Sequence, residues 1–133
     1  MTFEATYLGS NGWFIKFKKN NLIIDPWLKG DLIFPPGEWF FKGSLEQEIP
    51  IDKDIDIILL TQGLPDHCHI PTLEMFRKDI PIICPTSASG ILEKIGFSSI
   101  EVLKPTEKTN KFNLSFEATA GAPVPQIENG YIV

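Results

Sequence analysis

The chain has 133 residues, 43% of them hydrophobic and 22% charged, enough for one domain with a core of its own and no more. A net charge of −5, with 12 Lys and Arg in no run longer than two, excludes a basic stripe for nucleic acid and disfavours anionic membrane surfaces. There is no secretory signal in Met1 to Phe14 and no apolar stretch of ~18 residues, and two cysteines are too few for a disulfide framework, so a reduced, cytoplasmic protein is the expectation.

The first third reads as β-structure. Phe3 to Tyr7 alternates weakly, and Gly9-Ser10-Asn11-Gly12 supplies a turn. Trp13 to Phe17 is an aromatic-rich strand that Lys18-Lys19-Asn20 turns back into Asn21 to Ile24, a hairpin pattern. Asp25-Pro26 ends that strand, because proline cannot donate to a ladder and restricts the residue before it. Residues 29–50 form a long irregular excursion with Pro35-Pro36-Gly37 at its turn. Its apolar run Trp39-Phe40-Phe41 is expected to fold back onto the core, with a lid or partner contact as the other role.

From Ile55 to Leu60 the chain is apolar nearly throughout, as a strand covered on both faces must be. The loop Thr61-Gln62-Gly63-Leu64-Pro65-Asp66-His67-Cys68-His69 follows it directly. Pro71 to Arg77 reads as a helix with proline in its first turn, and Ile80 to Cys84 as a short strand. A second helix carries Ala88, Ile91, Leu92 and Ile95 on one stripe, with Thr86 or Ser87 as its cap and Gly96 closing it. Ile100 to Leu103 and Asn113 to Ala118 are further strands, Asn129-Gly130 is a turn signal, and Tyr131-Ile132-Val133 begins another strand. The fold class is α/β (α+β), a single domain over residues 1–133.

Several of these segments together resemble one family. The strand running into Thr61…Asp66-His67 resembles the Thr-His-x-His-x-Asp-His signature of the metallo-β-lactamase superfamily. Tyr7 to Trp13, Leu22 to Trp27, and Pro85 to Gly96 resemble segments of its UlaG-like branch. A group of cyanobacterial and plant proteins in that branch is similar in its Thr-Gln-x-x-x-Asp-His-x-His loop and in a segment like Ala118 to Pro123. The resemblance implies half of an αββα sandwich: a mixed sheet with helices on one face, cut short at the C-terminal end of a fold that usually takes about 200 residues.

It also implies a metal-dependent hydrolase site, and here the chain departs from the family. Gln62 and Leu64 stand where two ligand histidines are expected, and no histidine follows His69. The first metal site is therefore lost, since leucine has no donor atom and an amide oxygen is a poor zinc ligand. Asp66 and His67 match the second-site ligands, with His69 a further candidate and Asp66 the candidate catalytic group. Asp25 and Gln62 are expected to support the loop. One divalent ion (zinc, manganese or iron) or none at all would suit such a site, whose small-molecule substrate the residues do not specify.

The function implied is a degenerate metal-dependent hydrolase. The alternative is a non-enzymatic binding or assembly module using an open sheet face or the 35–41 loop. Half a sandwich leaves one apolar sheet face wet, and monomers seldom expose more than a few hundred Å². Either a homodimer packed sheet against sheet or a missing C-terminal half is expected to cover it.

Overall fold

The computed structural model describes residues 2–51, 54–122 and 128–133. Strands β1 (Phe3–Gly9), β2 (Gly12–Phe17) and β3 (Asn20–Ile24) form an antiparallel meander. Its register sets Phe3 opposite Phe17, Tyr7 opposite Trp13 and Ile15 opposite Leu22, so these side chains share one face.

The excursion that the sequence reads as irregular holds a small hairpin, β4 (Asp31–Ile33) with β5 (Lys42–Ser44). Strands this short carry no periodic signal; side chains fasten them, Ser44 Oγ donating to Asp31 Oδ1 at 2.8 Å and Lys42 Nζ lying 3.0 Å from Asp31 Oδ2. The tip does not fold back onto the core, for Trp39 is 79% and Phe40 65% exposed.

Strand β6 (Ile57–Leu59) pairs in parallel with β3 and with β7 (Ile82–Cys84), and β8 (Ile100–Val102) adds beyond β7, again in parallel. The result is a six-stranded mixed sheet in the order β1-β2-β3-β6-β7-β8. Every residue of β6 and β7 is buried, because both faces of these central strands are covered.

Helices α1 (Ile70–Leu73) and α2 (Thr86–Lys94) cover one face, where Ile23, Ile58 and Ile82 meet Leu73, Ala88 and Leu92. Helix α1 is shorter than its sequence pattern. The cap position of α2 belongs to Pro85, so Thr86 is its first helical residue, and Gly96 follows the helix at φ +96.

The opposite face carries a second sheet of β9 (Lys108–Lys111), β10 (Leu114–Ala120) and β11 (Asn129–Ile132), in the order β11-β10-β9. Leu114, Phe116 and Ala118 of β10 alternate inward onto Leu22, Ile57, Leu59 and Ile83. The polar sequence of β9 has no strand signal of its own and is ordered by pairing with β10. Asn129-Gly130, a turn by composition, instead opens β11 and pairs with Ala120 and Thr119. The chain thus covers β3, β6 and β7 on the sheet face expected from the sequence to be wet. What stays open is the end formed by β1 and β2, where Phe3, Tyr7 and Trp13 are exposed.

Candidate functional site

The loop after β6 leaves the sheet at the C-terminal end of its parallel strands, where open α/β sheets place their ligands. Gly63 lets it lie flat on the start of α2: a Cβ there would stand 2.3 Å from the Ser87 carbonyl oxygen. Asp25, just beyond β3, holds the loop from the other side. It is 2% exposed and adopts a left-handed φ of 42, a conformation aspartate tolerates better than most residues.

The Asp25 carboxylate receives the Thr61 backbone N–H at 2.9 Å, the Thr61 hydroxyl, and His67 Nδ1–H at 2.8 Å. Burial pushes the Asp25 carboxyl above the usual carboxylate range, against the hydrogen bonds from His67 and Thr61. Burial works to lower the His67 pKa, but the Asp25 hydrogen bond and charge, with the Asp66 and Glu128 carboxylates, leave it raised. Donation from Nδ1 assigns the tautomer and leaves the lone pair of neutral His67 on Nε2, 3.4 Å from Asp66 Oδ2.

A third side chain enters that space. Asn11 Nδ2 donates to Asp66 Oδ2 at 3.1 Å and to the Asp66 main-chain oxygen at 3.2 Å, and lies 3.4 Å from His67 Nε2. The Asn11 amide thus lies against both Asp66 and His67. Gln62 Nε2 donates to Glu128 Oε2 at 3.1 Å. Asn11 and Glu128 were not legible as site residues. Asn11 reads only as part of a turn, and Glu128 lies far along the chain with no motif around it.

His69 does not join Asp66 and His67. It is 3% exposed, its Nε2 donates to the Asp31 carbonyl at 2.8 Å, and its Nδ1 lies 2.8 Å from the Thr72 hydroxyl. Thr72 Oγ in turn accepts the Leu28 N–H at 2.9 Å, so His69 ties the β4 segment to the start of α1. Burial lowers its pKa, with the Asp31 carbonyl working the other way. Cys68 is likewise buried, and burial pushes its thiol up to about 12, so it is no nucleophile at neutral pH.

Metal chemistry asks for a converging donor set, and the described residues do not supply one. No group of three or more His, Cys, Asp or Glu among them is placed to hold a metal ion. Among the described residues, two buried acceptors of the loop, Asp66 Oδ1 and Gln62 Oε1, have no hydrogen-bond partner. Two such oxygens, with one imidazole shared by an amide, do not fit a metal centre. The Ala118 to Gly121 segment adds no donor side chain of that kind, and Pro123 lies outside the described residues. No helix of the described residues is long and apolar enough to cross a membrane.

A family model described as a β-lactamase superfamily domain matches residues 4–130. Among solved structures, CmlA, a diiron β-hydroxylase from Streptomyces venezuelae, aligns with a TM-score of 0.70 at 19% identity, over 97% of this chain and 27% of its own. A metallo hydrolase from the hyperthermophilic archaeon Ignicoccus hospitalis aligns with a TM-score of 0.65 at 17% identity, over 98% of this chain and 55% of its own. An isothiocyanate hydrolase from Delia radicum gut bacteria gives 0.65 at 19% identity, over 88% and 47%. These likenesses are of fold, and the chain spans between 27% and 55% of the lengths of those structures. No curated protein matches the chain. By the family model over residues 4–130 and the fold it shares with these structures, the chain belongs to the metallo-β-lactamase superfamily.

Proposed function

We propose that this chain is a degenerate metallo-hydrolase-type domain, in which the former ligand loop is held by the protein's own hydrogen bonds and the two-metal hydrolysis of the family is not run. The observation that carries this reading is the Asn11 amide, within 3.1 Å of Asp66 Oδ2 and 3.4 Å of His67 Nε2. An N–H donor there satisfies acceptors that in a metal site would face a cation. Gln62 and Leu64 at the first-site positions support the same reading, as does the diversion of His69. Of the branches of the superfamily, the UlaG-like one suits Tyr7 to Trp13 and Leu22 to Trp27 best.

If a divalent ion binds at all, Asp66 and His67 are its ligands, and zinc, manganese or iron are the ions such a pair takes. Asp25 then serves as the carboxylate behind the ligand histidine. Calorimetric titration of the chain with zinc and with manganese tests the proposal. It predicts no saturable site at one ion per chain, whereas a stoichiometric site abolished by His67→Ala contradicts it.

A second reading is a non-enzymatic binding or assembly module, favoured by the exposed aromatics Trp39 and Phe40 at the β4–β5 tip. A chain of this kind needs partners rather than substrates, and its compartment is taken to be the cytoplasm.

A further inference from the structure

The two sheets are unequal in width, and the mismatch leaves a step. The three-stranded sheet covers β3, β6 and β7 of the six-stranded one and reaches Ile15 and Phe17 of β2, while β1 and the Trp13 end of β2 project past it. The projecting ledge is apolar on its inner face: Phe3 is 63%, Tyr7 58% and Trp13 41% exposed, with Phe17 and Ile15 half-buried behind them. Above it, β11 is an edge strand, and Val133 at its end is exposed on the ledge side, while Ile132 faces outward with Glu117. Val133 borders a cleft with Phe3, Ile15, Phe17 and Leu22, so β11 lies beside the ledge. The strand β1 is the other unpaired edge on this side.

We infer that this step is the interface of a twofold dimer of the chain. A twofold axis along the strands, set in the middle of the ledge, turns a second copy over so that the ledges stack face to face. The same operation brings β1 of one copy alongside β11 of the other, so both open edges and both apolar faces are closed at once. The directions agree with antiparallel pairing. Asn129 N–H at the start of β11 bonds the Thr61 carbonyl beyond the end of β6, while Val133 lies by Phe3 at the start of β1, so β11 runs opposite to β1. A twofold interface of this type is self-complementary and closes without leading to a fibre. It also removes two edge strands that would otherwise template aggregation.

The area agrees. An aromatic side chain carries about 150–250 Å², so the half-exposed rings of Phe3, Tyr7 and Trp13 with Val133 leave roughly 400 Å² open per copy. Two copies, with the strand edges and Ile15 and Phe17 added, come close to the ~1,200 Å² at which stable interfaces begin.

Sedimentation velocity or light scattering on the intact chain tests the interface. The wild type is expected at twice the chain mass of 15.0 kDa. Phe3→Asp and, independently, Ala5→Lys are expected to give monomers with unchanged circular dichroism, since both positions are exposed and tolerate polar side chains in the isolated fold. Trp39→Ser, which removes an exposed aromatic away from the ledge, is expected to leave the dimer intact. A monomeric wild type, a dimer that survives both ledge variants, or a dimer lost only in Trp39→Ser would overturn the proposal. The result does not depend on metal content, so it stands or falls apart from the reading of the loop.

Discussion

Asp25 Oδ2 and His67 Nδ1 lie 2.8 Å apart, joining the end of β3 to the ligand loop across 42 residues of sequence. The same carboxylate takes the Thr61 N–H and hydroxyl, so one buried anion organises the whole turn. Removing it strands an imidazole and a backbone donor in a site with little access to water. Asp25→Ala is therefore expected to cost about 3–5 kcal/mol of unfolding free energy. Denaturant titration checks this, and a loss below about 1 kcal/mol would show that the network is incidental.

Gly63 is the point at which the loop touches α2, and any Cβ there meets the Ser87 carbonyl at 2.3 Å. Backbone cannot yield as a flexible side chain does. Gly63→Ala should cost about 1–3 kcal/mol by overpacking, and thermal melts would register it as a clear drop in Tm. A neutral substitution would mean that the loop is free to lift away from the helix.

The buried thiols make stability depend on alkaline pH. Burial pushes both Cys68 and Cys84 up to about 12, while an unfolded thiol ionises near 8.5. Both groups have folded pKa values above their unfolded ones, so their contribution is complete below about pH 8.5 and is lost as pH rises toward 12. Between those limits each thiol removes about 1.4 kcal/mol per pH unit. Tyr131, also raised by burial, adds to the slope above pH 10. Unfolding free energies measured from pH 8 upward should fall steadily, and a flat profile to about pH 11 would contradict the assigned burial.

Asn11 occupies the space between Asp66 and His67, and one atom separates its amide from a carboxylate. Asn11→Asp would place a third ionisable donor beside that pair, the number a catalytic zinc site takes from its protein. The variant is expected to gain zinc affinity, seen as a rise in Tm on adding zinc that the wild type lacks. Equal behaviour of the two proteins would show that the amide does not stand in for an ion.

The central strands were readable in the sequence because a strand buried on both faces must be apolar throughout, as Ile57 to Leu60 and Ile82 to Cys84 are. The second helix was readable from Ala88 and Leu92 on one stripe and from Gly96 at its end. Strands β4, β5 and β9 were not, since three or four polar or mixed residues gain order only from the strand beside them. Asn129-Gly130 reads as a turn by local chemistry, but its pairing with Ala120 and Thr119 prevails over that preference. At the site, the loop and Asp25 stood out by resemblance. The contact of Asn11 with Asp66 spans 55 residues and leaves no periodic trace. His69 looked like a ligand by spacing alone, and only its partners Thr72 and Asp31 show how it is used.

The most direct test of the account is elemental analysis by plasma mass spectrometry of the chain purified after growth in metal-replete medium. A loop closed by Asn11 predicts zinc, iron and manganese each far below one per chain. Near-stoichiometric metal that survives dialysis and disappears in His67→Ala would contradict the account and make Asp66 and His67 a working half of a metal centre.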